Sequence, residues 1–142
     1  MLHKKNVFYI VRPFILFLLS IGYLNAGPKI VFSNKVADFG ELVEGDTAVC
    51  LFHFTNQGDS VLEIIDVTAT CGCTVADIDS YLIKPGGEGT IKTIFHSTGR
   101  RGKITKFVHV LTNDKKNRFI RLKITGIVKR TWSVEPKKVD FG

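Results

Sequence analysis

From Lys29 onward the chain carries no sustained helical periodicity. Short apolar or alternating runs instead recur about every 10–15 residues, parted by clusters of Gly, Asn, Asp and Pro. Alternation gives a strand one face to bury and one to leave in water, so this rhythm points to an all-β sandwich or barrel. The clearest case is Ala48 to Asn56, where Cys50, Phe52 and Phe54 share one side and Val49, Leu51, His53 and Thr55 the other. The first set is the more apolar and is expected to face the core. Further strands are expected at Ile30–Phe32, Val36–Leu42, Ile91–His96, Lys103–Leu111 and Phe119–Val128. The strongest turn signal is Lys84-Pro85-Gly86-Gly87-Glu88-Gly89. With the central run described next, the count is about seven strands in roughly 100 residues, the size of an immunoglobulin-like β-sandwich.

That central run, Leu62 to Thr74, reads as a strand that ends in two closely spaced thiols, Cys71 and Cys73. In a regular strand their Cα atoms would stand ~6.6 Å apart on one face, near the upper limit for a disulfide. Four readings are open. Gly72 could bend the chain enough to close an easily reduced bond. The two sulfurs could hold Cu(I) or Zn(II), although two ligands are few and His53, His96 and His109 lie far off in sequence. Cys50 could pair with one of them as a structural disulfide across the sandwich, or all three thiols could be small apolar fillers. The two structural readings together outweigh the chemical ones. An odd count of three cysteines leaves at least one unpaired, metal-bound or shared between molecules.

Residues 1–26 read as a secretory signal peptide. Lys4, Lys5 and Arg12 precede the apolar run Phe14 to Leu24, and small residues follow at Ala26-Gly27. That run is short for a membrane span, which needs roughly 20 residues, so no stable span is expected once the signal is cleaved after Ala26. The signal contains three of the 20 Lys and Arg and none of the 13 acids, which leaves a net +4 beyond it. So mild a basic balance, without an aromatic-and-basic recognition motif, argues against a nucleic-acid partner. The globular domain is expected over 27–130. The tail, 131–142, ends in Val139-Asp140-Phe141-Gly142 and echoes Val36-Ala37-Asp38-Phe39-Gly40, like the first strand of a second such domain.

Taken in order, Asp38-Phe39-Gly40, Glu44-Gly45-Asp46, Phe52-His53-Phe54-Thr55-Asn56-Gln57-Gly58, Cys71-Gly72-Cys73-Thr74, Lys84-Pro85-Gly86-Gly87 and Phe95-His96-Ser97-Thr98-Gly99-Arg100-Arg101-Gly102 resemble the bacterial DUF1573 family. The likeness runs from about Lys29 to Arg130, nearly the whole chain beyond the signal. It implies an immunoglobulin-like domain of the ASPM, SPD-2 and Hydin type, common in exported proteins of Bacteroidota. It implies no activity, since the family name records an uncharacterised domain. Two departures stand out: Cys50 replaces an ordinary strand residue, and His96-Ser97 stands where an acid followed by Thr or Ser is usual.

No Ser-His-Asp set, carboxylate pair or phosphate loop occurs at a workable spacing, so no enzyme and no cofactor is expected. Arg100, Arg101 and Lys103 place three cations in one turn. They suit a contact with an acidic protein, an anionic polysaccharide or a lipid headgroup, and a solvated hairpin tip is the simpler reading. Exposed sheet edges offer another binding surface. The sequence therefore leads to a non-enzymatic binding or structural module of a Gram-negative envelope or periplasm, with another envelope protein or a glycan as partner. The rival is a periplasmic thiol-redox or soft-metal protein that works through Cys71 and Cys73.

Overall fold

The computed structural model describes residues 27–130. The proposed signal peptide and the tail lie outside the described residues. Within them the chain is all-β, with nine strands and no helix. The strands are β1 (Ile30–Phe32), β2 (Val36–Val43), β3 (Thr47–Asn56), β4 (Leu62–Ala69), β5 (Thr74–Ile78), β6 (Leu82–Ile83), β7 (Glu88–His96), β8 (Gly102–Thr112) and β9 (Phe119–Lys129). A four-stranded sheet, β1-β3-β7-β5, faces a five-stranded one, β2-β9-β8-β4-β6. All neighbours are antiparallel except β2 and β9, which run parallel.

Alternation places the core. In β3 every second residue, Ala48, Cys50, Phe52, Phe54 and Asn56, is buried, as the pattern of that strand predicts. Ile91, Thr93 and Phe95 of β7 do the same from the neighbouring ladder; Ile120, Leu122 and Ile124 of the opposite sheet join Ile91 in the main core cluster, and Ile104 and Val128 join Phe95 in a second. Phe52, Phe54 and Phe95 are each 1% exposed, and burying each such ring stabilises the fold by roughly 1.5–3 kcal/mol.

One contact at the second core cluster leaves no room for a side chain. A Cβ on Gly126 of β9 would lie 2.2 Å from the ring of Phe39, and that ring stacks on Phe95 at 5.3 Å between centroids. Phe39 reaches this place because β2 slips register between Asp38 and Glu41, and Gly40 takes a left-handed φ of 72° within the slip. Only glycine adopts that conformation without cost.

Two strands exceed the expected seven. β5 gives little signal in the sequence because Thr74 and Asp77 dilute its apolar pattern. β6 is a two-residue bridge that pairs only with Leu62 and Glu63. The loops they create are anchored by Asn56, which is fully buried. Its side-chain oxygen accepts from the N–H groups of Lys29 and Gly58, and its amide donates to the carbonyls of Ser60 and Ile83.

Candidate functional site

Two places stand apart from packing. The first is the corner where the chain leaves one sheet for the other. β4 stops at Ala69 because Thr70 to Cys73 turn away, and β5 begins at Thr74. The backbone N–H of Thr74 donates to the Cys71 carbonyl at 3.2 Å, and that of His96 donates to the Cys73 carbonyl at 2.9 Å. The turn brings the Cα atoms of Cys71 and Cys73 to 5.4 Å and joins them in a disulfide. The extended separation expected for a regular strand does not occur. Both sulfurs lie 3.9 Å from the Thr74 hydroxyl, which is buried, while Gly72 between them is exposed. A bond that closes only three residues in a half-buried corner can be reached by a reductant or a partner thiol.

Cys50 takes no part in it. A structural disulfide from Cys50 was one of the sequence readings, and the structure corrects it. Cys50 is a free, buried thiol in the main core cluster, and its two candidate partners are bonded to each other. Burial pushes the Cys50 thiol pKa up. The Thr93 hydroxyl beside it pulls the other way, and the Asp38 charge adds to the rise. It therefore stays protonated and inert near neutral pH. The filler reading describes Cys50 and fails for the other two. For the soft-metal reading, no group of three or more His, Cys, Asp or Glu capable of holding a metal occurs among the described residues. His53 bonds to the Thr90 hydroxyl, His96 to that of Thr47, and His109 rests on Phe119.

The second place is the β8–β9 hairpin. Arg100, Arg101 and Lys103 are all exposed, and Arg101 is paired with Glu44 at 3.3 Å. They are one end of something larger. The stretch 100–130 holds 11 of the chain's 20 Lys and Arg and only one of its 13 acids, Asp114, whereas 27–99 holds 4 cations and 10 acids. Register assembles the rest. His109 lies opposite Arg121 and Phe107 opposite Lys123, all four on the face turned away from the core. Arg121 stacks over the Phe107 ring at 4.7 Å, and His109 packs on Phe119 at 5.0 Å. Lys115, Lys116 and Arg118 extend the positive charge around the far turn. Asp114, the exception, is buried and serves as a structural acceptor. Desolvation raises its pKa, but donors on Asn117 and the N–H groups of Ile30, Lys116 and Asn117 outweigh that and hold it below the usual carboxylate value. Sequence reasoning saw only the three adjacent cations. The signal that finds the whole feature is the change of charge sign along the chain near residue 100.

Residues 30–128 match the family described as "Protein of unknown function (DUF1573)". The chain belongs to the DUF1573 family. No curated protein matches the chain in sequence. Among solved structures, the DUF1573 domain resembles a protein of unknown function from Porphyromonas gingivalis W83, with a TM-score of 0.65 and 20% identity over 78% of this chain and 51% of that one. It thus spans about half the length of the Porphyromonas protein. It also resembles the seventh PapD-like (ASH) domain of human CEP192, with a TM-score of 0.61 and 14% identity over 91% of this chain and 99% of that domain. A third likeness is to the VesB protease of Vibrio cholerae, with a TM-score of 0.56 and 11% identity over 69% of this chain and 31% of that one. At such identities the shared property is the fold, an immunoglobulin-like, PapD-like sandwich.

Proposed function

We propose that the protein is a non-enzymatic binding module of a bacterial envelope, exported through its N-terminal leader, that holds an acidic partner on the outer face of its five-stranded sheet. One observation carries this reading: the positive charge is gathered on β8, β9 and their turns, while the preceding strands are acidic. A surface that only needed solubility would intersperse the two signs. A ribbon of one sign steers and holds an oppositely charged partner, with a strength that falls as salt rises. Sedimentation with isolated bacterial envelopes tests it. Full-length protein should co-sediment at low salt and release as salt rises, and Arg121→Glu/Lys123→Glu should release at clearly lower salt. Equal release of the two proteins would defeat the reading, as would a turnover activity that depends on one side chain.

A second reading rests on a separate observation, the disulfide at the sheet-crossing corner with its exposed Gly72. Here Cys71 and Cys73 form a reversible two-electron couple that exchanges with a thiol of the same compartment. It predicts titration of the pair between dithiol and disulfide across a series of glutathione buffers, with no loss of fold. A pair that is never reduced short of unfolding would remove it.

A further inference from the structure

Resting on the binding-module reading above, we infer that the β8–β9 ribbon binds a single chain of acidic polysaccharide, carboxylated or sulfated, laid along the hairpin. The shape of the charge selects this occupant. The ribbon is two strands wide, about 10 Å, and up to eleven residues long, about 37 Å at strand rise. Cations stand at both ends and in the middle. Because Arg101 and Lys129 at one end are paired with Glu44 and Glu41, a linear polyanion meets unpaired positive charge chiefly at Arg121, Lys123 and the far turn. Acids flank it on either side. Glu63 and Asp66 of β4 border one margin, and Asp38 and Glu41 of β2 the other. A wide anionic surface, such as a lipid bilayer or a nucleic-acid duplex, would press on those carboxylates, whereas one polymer strand lies between them.

The rings distinguish a sugar chain from single-stranded nucleic acid. Base recognition on a sheet needs open aromatic faces on which bases stack. Here the Phe107 ring carries the Arg121 guanidinium, and His109 and Phe119 pack on each other at an interplanar angle of 54°. What remains open is one ring alone, Phe119, 63% exposed beside the cations of the turn, too little for a run of stacked bases. That combination offers an apolar contact to the C–H side of a pyranose while the Arg121 guanidinium and Lys123 ammonium take the carboxylate or sulfate. Arg121 can do so in a forked pair of hydrogen bonds.

The test uses full-length protein and five probes in calorimetric titrations: alginate for carboxylates, heparin for sulfates, neutral dextran, oligothymidylate, and phosphatidylglycerol vesicles. Binding to alginate, heparin or both is expected, with none to dextran and weaker binding to the other two. Arg121→Glu/Lys123→Glu should lose about tenfold in affinity, the sum of two exposed charge contacts reversed. Lys84→Glu/Lys92→Glu, with the same change of net charge on other surfaces, should lose less than about twofold. Phe119→Ala should weaken polysaccharide binding and leave its salt dependence unchanged. Tighter binding to oligothymidylate or vesicles overturns the polysaccharide and leaves the binding module standing. Equal losses in the two charge-reversal variants, or full affinity in Phe119→Ala, reduce the effect to net charge and overturn it as well. No binding to any probe overturns the inference, while the envelope sedimentation above judges the module on its own.

Discussion

Reducing the Cys71–Cys73 bond should weaken the fold only slightly. The bond closes a loop of three residues, and the chain-entropy relation assigns such a loop about 1.6 kcal/mol at 25 °C. A bridge from Cys50 to Cys71 would have closed 22 residues and contributed about 3.4 kcal/mol by the same relation. In a domain of this size 1.6 kcal/mol corresponds to a fall in Tm of roughly 6–13 °C. The assay is a thermal melt followed by far-UV circular dichroism, with and without dithiothreitol. Reduction of the wild type is a cleaner perturbation than Cys73→Ser, because Cys73 borders the core cluster of Ala48, Phe95, Ile104 and Val128, where a serine adds a cost of its own. Alkylation of the reduced, folded protein should label two thiols, and the third only after denaturation, since Cys50 is buried. A fall beyond about 20 °C, or loss of a cooperative transition, would mean that the corner staples the sandwich together and would refute the loop-size reasoning. Labelling of all three thiols in the folded state would refute the placement of Cys50.

Other perturbations address the body of the fold. Gly126→Ala should cost roughly 1–3 kcal/mol by overpacking, because its Cβ would meet the Phe39 ring at 2.2 Å and that ring is fixed against Phe95; a variant melting with the wild type would show that Phe39 moves freely. Phe54→Ala should cost about 3–5 kcal/mol in urea unfolding, since its ring is fully buried and fills the space beneath Gly89. Asp114→Asn should cost roughly 1–3 kcal/mol at neutral pH. Its folded pKa is held below the unfolded value, so its stabilisation is full above that unfolded value, about 3.9, and is lost as pH falls through the folded one. The gap between wild type and variant should therefore close in acid, and a gap as wide at pH 2 as at pH 7 would contradict the assigned donors.

Strands with strict alternation were legible in the sequence, and those with mixed signals were not. β3 shows its buried face in its residue types alone, because Phe52 and Phe54 stand opposite His53 and Thr55. In β4 the packing of Leu62, Ile64 and then Val67 breaks parity, and the structure supplies the reason in a register shift between Ile64 and Asp66. β5 was missed because its exposed edge position tolerates Asp77 and leaves Val75 half in water. The cysteine pairing stayed open because a strand and a turn place the same two residues at different separations, and only the crossing between sheets decides for the turn. The basic ribbon was hidden for another reason. Arg121, Lys123 and Lys129 alternate with buried apolar residues along β9, and they join the cations of β8 and the turns in one surface only after the hairpin register is known.

The parallel pairing of β2 with β9 carries a consequence for how the molecule is made. Val36 lies beside Lys123 and Val43 beside Lys129, so the opening long strand of the domain is completed by its last. Contacts between positions 87 apart are slow to form, because a large loop must close before any of them is gained. As the chain emerges in order from the ribosome, the five-stranded sheet lacks the strand that joins β2 to β8 until β9 has been synthesised. A chain that lacks Phe119–Lys129 therefore leaves β2 and β8 without the partner they share. The sandwich closes only when that last strand is present to pair with both.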